Sequence, residues 1–150
     1  MFRTVLSMPL AMLCIAMLFL AKTGVANANT AELRMTSNGH FVTMAEINGS
    51  QIEVMVDTGA TTVALSYEDA QAAGFEPDEL SYKVPVSTAN GTVMAARVSI
   101  DSIEIDGIFV DEVEGMVLPE GALSGSLLGN SFLRRLHSYE VMDGILLLRN

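Results

Sequence analysis

The chain has 150 residues, half of them hydrophobic, with 18 acidic against 8 basic side chains and a formal net charge of −10. That length accommodates one domain, and the acidic balance excludes nucleic acid as a partner, because a phosphate backbone is bound by Lys- and Arg-rich surfaces. The single cysteine, Cys14, excludes an internal disulfide framework.

Residues 1–28 read as an export segment. Arg3 supplies a short positive region, an apolar stretch runs from about Leu10 to Ala21, and Ala26-Asn27-Ala28 offers a small-x-small cleavage site. The expectation is a cleaved signal peptide and an exported, periplasmic domain. The alternative is an uncleaved inner-membrane anchor at residues 5–21, which at 17 residues is at the short limit for a span. In either case the positive end stays in the cytoplasm and the domain crosses. Leu13 is too bulky for a lipoprotein site before Cys14. Removing residues 1–28 takes away Arg3 and Lys22 but no acid, which leaves 6 basic and 18 acidic residues, a net charge near −12, and no cysteine. Membrane contact is expected only through an uncleaved leader.

Residues 29–39 show no periodicity and read as a polar linker or frayed terminus, with the folded domain spanning 40–150. From His40 the pattern is that of strands: Phe41, Val42, Met44, Ala45 and Ile47 lead into Asn48-Gly49, and Ile52, Val54 and Val56 follow with period two. Asn-Gly between alternating apolar runs is a strong hairpin signal. Asn90-Gly91, Asp106-Gly107 and Asp143-Gly144 repeat it. Four such turns predict an all-β body interrupted by short helices. Ser66-Tyr67-Glu68-Asp69 reads as a capping box, with helix to Ala73 and a stop at Gly74. A second helix is expected over 130–136, with Phe132, Leu133 and Leu136 on one face.

The run Val54-Met55-Val56-Asp57-Thr58-Gly59-Ala60 delivers an acid from a buried strand straight into a Thr-Gly turn. A carboxylate there is costly unless chemistry or a hydrogen-bond network requires it. About seventy positions later comes Leu127-Leu128-Gly129-Asn130. Together these motifs resemble the active-site loop and second signature of the retroviral-type (retropepsin-like) aspartic proteases. Asp-Thr-Gly-Ala-Thr at 57–61, Thr-Ala-Asn-Gly at 88–91 and Leu-Leu-Gly-x-Ser-Phe-Leu at 127–133 are similar to the bacterial exported or membrane-associated branch.

The resemblance implies a single-domain closed β-barrel with a flap hairpin, acting as an aspartic endopeptidase on extended peptides or unfolded protein. That chemistry uses two carboxylates sharing a proton, one activating water and the other polarising the carbonyl. No other Asp or Glu here stands in an apolar-acid-Thr/Ser-Gly context. The second Asp57 is therefore expected from a second copy, in a two-fold homodimer with the site on its axis. Gly59 allows the sharp turn. By resemblance, Thr58 bonds across the axis, Gly129 lets its strand pass beneath the Asp57 loop, and Val86 to Ala96 form the flap, with Thr88, Ala89, Asn90 and Gly91 at its tip. Ala60 has no hydroxyl to offer the carboxylate, so activity is expected nearer neutrality than a pepsin's. Asn130 is assigned no role.

The competing reading is a retropepsin-fold binding or dimerisation module with little proteolysis. A weaker one is a generic exported β-barrel carrying the motifs by coincidence. His40 and His137 lack any Cys, His or Glu at ligand spacing, so no metal is expected, and the implied chemistry requires no cofactor.

Overall fold

The computed structural model describes residues 29–88 and 90–150, so the leader at 1–28 and Ala89 in the hairpin tip lie outside the described residues. Ten strands dominate: β1 (Thr30–Arg34), β2 (Val42–Ile47), β3 (Ser50–Val56), β4 (Val63–Leu65), β5 (Tyr82–Thr88), β6 (Gly91–Ile105), β7 (Ile108–Val117), β8 (Ser126–Leu128), β9 (Ser138–Met142) and β10 (Ile145–Arg149). The helices are α1 (Tyr67–Ala72) and α2 (Asn130–Leu133), with one 3₁₀ turn at Pro77–Glu79. None of the helices among the described residues is long and apolar enough to cross a membrane.

Six strands run in the order β2-β3-β8-β4-β7-β6, and β2 pairs back onto β6 through Glu46↔Glu104 and Ile47↔Ile103. That pairing closes the barrel and removes its open edges. Alternation along the strands sends Ile47, Ile52, Val54, Ile100, Ile103, Val113 and Leu128 inward, all at most 2% exposed. Strand β5 hangs on the outer side of β6 and extends it as a hairpin beyond the barrel. Its base rests on a separate small cluster of Ala95, Met116 and Leu118, flanked by Val84, Val86 and Val93.

Three of the hairpin turns behave as their sequences dictate, with both residues at positive φ: Asn48 50° and Gly49 83°, Asp106 47° and Gly107 83°, Asp143 50° and Gly144 74°. Asn48 also ties elements together. Its side-chain oxygen accepts from Asp101 N (2.9 Å) and Ser102 N (3.3 Å), and its amide donates to Ala73 O (3.2 Å). The hairpin at 90–91 differs from expectation. Thr88 pairs with Gly91, so the tip comprises residues 89 and 90, and Gly91 opens β6 at φ 113°.

The lead segment is a further correction. Residues 30–34 form a strand, with Ala31 and Leu33 buried against the barrel and β1 paired to β10 from Thr30↔Arg149 to Arg34↔Ile145. Five residues were too few to reveal a period, and the partner that orders them lies more than a hundred residues away. The second helix is also shorter than expected, ending at Leu133, although Leu136 remains buried. At α1 the capping box is completed indirectly. Asp69 N donates to Ser66 Oγ (3.1 Å), and buried Ser126 bridges the rest, accepting from Ser66 N (3.1 Å) and donating to Asp69 Oδ2 (2.6 Å).

Candidate active site

Asp57 is the first residue beyond β3, where the parallel pairing of β3 with β8 ends at Val56↔Leu128. Its amide continues the ladder by one bond, donating to Leu128 O (3.1 Å). The chain then turns tightly: Gly59 N donates to Asp57 Oδ1 (2.8 Å) and Ala60 N to Asp57 O (3.2 Å). The carboxylate is thereby aimed by its own loop, in the manner of an Asx turn. Asp57 is half-buried, and Thr58 and Gly59 are exposed. The Thr58 hydroxyl makes no hydrogen bond among the described residues.

Gly129 passes directly under this loop. A Cβ there would lie 2.1 Å from Thr62 O and 2.9 Å from Ala60 O, both backbone atoms, so only glycine fits. The requirement is one of space, because its φ of −95° is open to any residue. Asn130 then clasps the loop from below. Its backbone N donates to Ala60 O (2.9 Å), and its side-chain amide donates to both Thr58 O (2.8 Å) and Ala60 O (3.0 Å). One residue on, Ser131 Oγ accepts from Val63 N (2.8 Å) and donates to Glu114 O (2.6 Å), joining β4, α2 and β7.

Asp57, Thr58, Gly59, Ala60 and Gly129 therefore meet in one small assembly, seventy residues apart in sequence. Asn130 belongs with them, although sequence reading assigned it nothing. No spacing rule indicates which backbone a side-chain amide will reach across such a separation.

The hairpin residues Thr88, Asn90 and Gly91 form a second, separate group. Thr88 Oγ1 donates to Gly91 O (2.8 Å) and accepts from Asn90 N (3.2 Å), a self-contained turn. Among the described residues, no hydrogen bond links this tip to the Asp57 loop. Two open clefts of about 420 and 320 Å³ lie along β6–β7 and beside α2, the second touching Thr61, Thr62 and Asn130. Asp57 lines neither of these two clefts.

Comparison with known proteins agrees with this arrangement. Residues 43–135 match the family described as "gag-polyprotein putative aspartyl protease". A Sinorhizobium protein encoded in the cobV 5′ region is 42% identical over 118 residues, covering 79% of this chain and 51% of that protein. The Rickettsia prowazekii protein RP867 is 39% identical over 113 residues, covering 75% of this chain and 48% of the other. The chain thus spans about half the length of the curated relatives it matches. Among solved structures, a retropepsin-like aspartic protease from Rickettsia conorii superposes with a TM-score of 0.73 at 36% identity, over 80% of this chain and 89% of that one. The EIAV protease, solved with the inhibitor HBY-793, shares the fold with a TM-score of 0.55 at 20% identity, over 67% of this chain and 91% of that one.

Proposed function

This chain belongs to the retropepsin-like aspartyl protease family, and on that premise we propose that it is an aspartic endopeptidase whose site is shared by two copies. The observation that carries the reading is the Asp57 carboxylate, oriented by Gly59 N at 2.8 Å and clamped from beneath by Gly129 and Asn130. Asp57 is only partly buried, and the Thr58-Gly59 turn beside it is exposed. One Asp57 takes a proton from water as the other, protonated, donates to the substrate carbonyl. Water adds to the carbonyl carbon, and the tetrahedral intermediate collapses as the amine leaves with a proton. Two carboxylates in contact cannot both ionise, so they hold one proton between them and titrate as a pair.

Thr58 supports the reading through its exposed hydroxyl, which has no partner among the described residues and would bond to the partner's loop. The hairpin of β5 and β6 would lie over an extended peptide and hold it through backbone hydrogen bonds, as in strand addition. The domain acts outside the cytoplasm, delivered by the leader at 1–28, on unfolded or extended protein.

The test is hydrolysis of casein by the parent and by Asp57→Asn, from about pH 3 to pH 8. Activity in the parent that is lost in the variant and blocked by an aspartic-protease inhibitor supports the reading. Equal hydrolysis by both would remove Asp57 from the chemistry. Equal inertness of two folded dimers would favour a binding module.

A further inference from the structure

We propose that Arg135 is a positioning residue for Asp57: it clamps a step in β7 at Glu112 and, through α2, sets the seat of Asn130 beneath the Asp57 loop. This inference rests on the aspartic-protease reading above and adds a residue which that reading does not use.

The starting observation is the backbone of Glu112. Asn48, Asp106 and Asp143 have positive φ because each opens a two-residue hairpin turn. Glu112 adopts φ 47° in the middle of β7 instead. That region is costly for a residue other than glycine, and it persists only where the surroundings impose it. The burial pattern shows what the conformation accomplishes. Val110 and Val113 are both buried, with two exposed residues, Asp111 and Glu112, between them. On β6, Ile100 and Ile103 are buried in the same way around Asp101 and Ser102. The inward face thus steps by one residue in both strands at once, and the long β6–β7 hairpin keeps apolar side chains on the core along both halves.

The step takes backbone groups out of the ladder, and two side chains receive them. Pairing runs through Ile100↔Val113 and Ser102↔Asp111 and skips Asp101 and Glu112. On the β6 side, Asn48 Oδ1 accepts from Asp101 N and Ser102 N. On the β7 side, Arg135 Nη1 donates to Asp111 O (3.2 Å) and Glu112 O (3.5 Å), and Nη2 donates to Asp111 Oδ1 (3.3 Å). These bonds lie at the surface and add little stability singly. What they fix is geometry, because a planar guanidinium spans two carbonyls and a carboxylate in one orientation.

Arg135 stands two residues past α2, in the turn where its own N donates to Phe132 O (2.9 Å). The segment therefore grips β7 twice: Ser131 Oγ donates to Glu114 O (2.6 Å), and Arg135 holds residues 111 and 112. Asn130, beside the first grip, donates to Thr58 O and Ala60 O. With four residues, α2 is too short to keep its own orientation. Two grips set its rotation, whereas Ser131 alone leaves it free to pivot. Without Arg135 the strained Glu112 relaxes, the β7 carbonyls move, and Asn130 tilts away from the Asp57 loop.

The experiment is a rescue in the full chain. Arg135→Ala should lower kcat on casein about tenfold or more with KM near the parent's, because the group displaced aligns Asp57 and touches no substrate. Arg135→Lys should behave like Arg135→Ala although it keeps the charge. Adding Glu112→Gly to Arg135→Ala should restore most of the kcat, since glycine adopts φ 47° at no steric cost. A merely stabilising arginine would lower the melting temperature and leave kcat unchanged below it. That result, or a loss that Glu112→Gly does not restore, would overturn the proposal. Nuclear magnetic resonance supplies a readout independent of activity. The side-chain amide signals of Asn130 and the backbone amide of Gly59 should shift in Arg135→Ala and return in the double variant. Signals unmoved by Arg135→Ala overturn the proposal even in an inert parent. Hydrolysis equal in the parent and Asp57→Asn, with the signals shifting and returning, overturns the aspartic-protease reading and leaves the clamp in place.

Discussion

Gly129→Ala is the sharpest test of how the Asp57 loop is held. A Cβ at this position would meet Thr62 O at 2.1 Å, the Thr62 carbonyl carbon at 2.7 Å and Ala60 O at 2.9 Å. All three are backbone atoms, so no rotamer change relieves the clash. The nearest contact must open to at least 3.0 Å, a displacement of roughly 0.9 Å between the two segments that cross at the site. Overpacking of this kind costs about 1–3 kcal/mol, which for a domain of this size lowers the melting temperature by roughly 4–12 °C. The functional loss should be larger, because the displaced segment carries Asn130 and its three bonds to the loop. A misplacement near 1 Å at a reacting centre costs about a hundredfold in rate. The assay is thermal melting by circular dichroism beside casein hydrolysis below both melting temperatures. Gly125→Ala is the control, since a Cβ there meets nothing within 4 Å. If Gly129→Ala matches Gly125→Ala in both melting and rate, the close passage does not hold the loop. If it melts early yet cleaves normally when folded, the crossing stabilises the fold without positioning Asp57.

Asn130→Asp should replace a donor by a carboxylate oxygen facing the Thr58 and Ala60 carbonyls, which accept at 2.8 and 3.0 Å. Its kcat should fall about tenfold or more at neutral pH and recover in part on acidification, when the acid is protonated and donates again; an unchanged kcat at pH 7 refutes the clasp. Ser126→Ala removes the buried hydroxyl that accepts from Ser66 N and donates to Asp69, and a destabilisation of about 1–3 kcal/mol is expected in urea unfolding. The Tyr67 hydroxyl donates to Asp78 (2.7 Å), and that bond, with burial and the Asp78 charge adding to it, pushes the phenol up to about 12. The fold favours the protonated form, so this contribution is complete below about pH 10, the unfolded value, and is lost as pH rises through about 12. Burial also raises Tyr82, so ultraviolet titration should show late-ionising tyrosine absorbance that shrinks by one residue's worth in Tyr67→Phe; a late phase unchanged by that substitution contradicts the assignment.

Much of the architecture was legible in the chain because its causes are local. Asn48-Gly49, Asp106-Gly107 and Asp143-Gly144 adopt positive φ wherever they stand, and period-two alternation along 50–56 assigns an inward face before any partner is known. Ser66 and Gly74 bracket α1 for the same reason, as the hydroxyl caps within its own turn and the glycine tolerates φ 84°. The Asp57 loop was also visible, because Gly59 and the carboxylate interact across two residues.

Local residue pattern alone thus specifies most of the strands and turns, the inward faces, and the acid placed at a strand end. The tertiary structure alone decided the roles of residues whose partners are remote. The polar lead became β1 only because β10 offered it an edge, and Asn130 became a clasp only because Gly129 brings it beneath Thr58 and Ala60. Likewise, Tyr139 and Val141 have the alternation of a buried face, yet the barrel stops short of them. The physical reason is common to all three. A side chain's neighbours within a few residues follow from backbone geometry, whereas contacts across seventy or a hundred residues exist only after the barrel has closed.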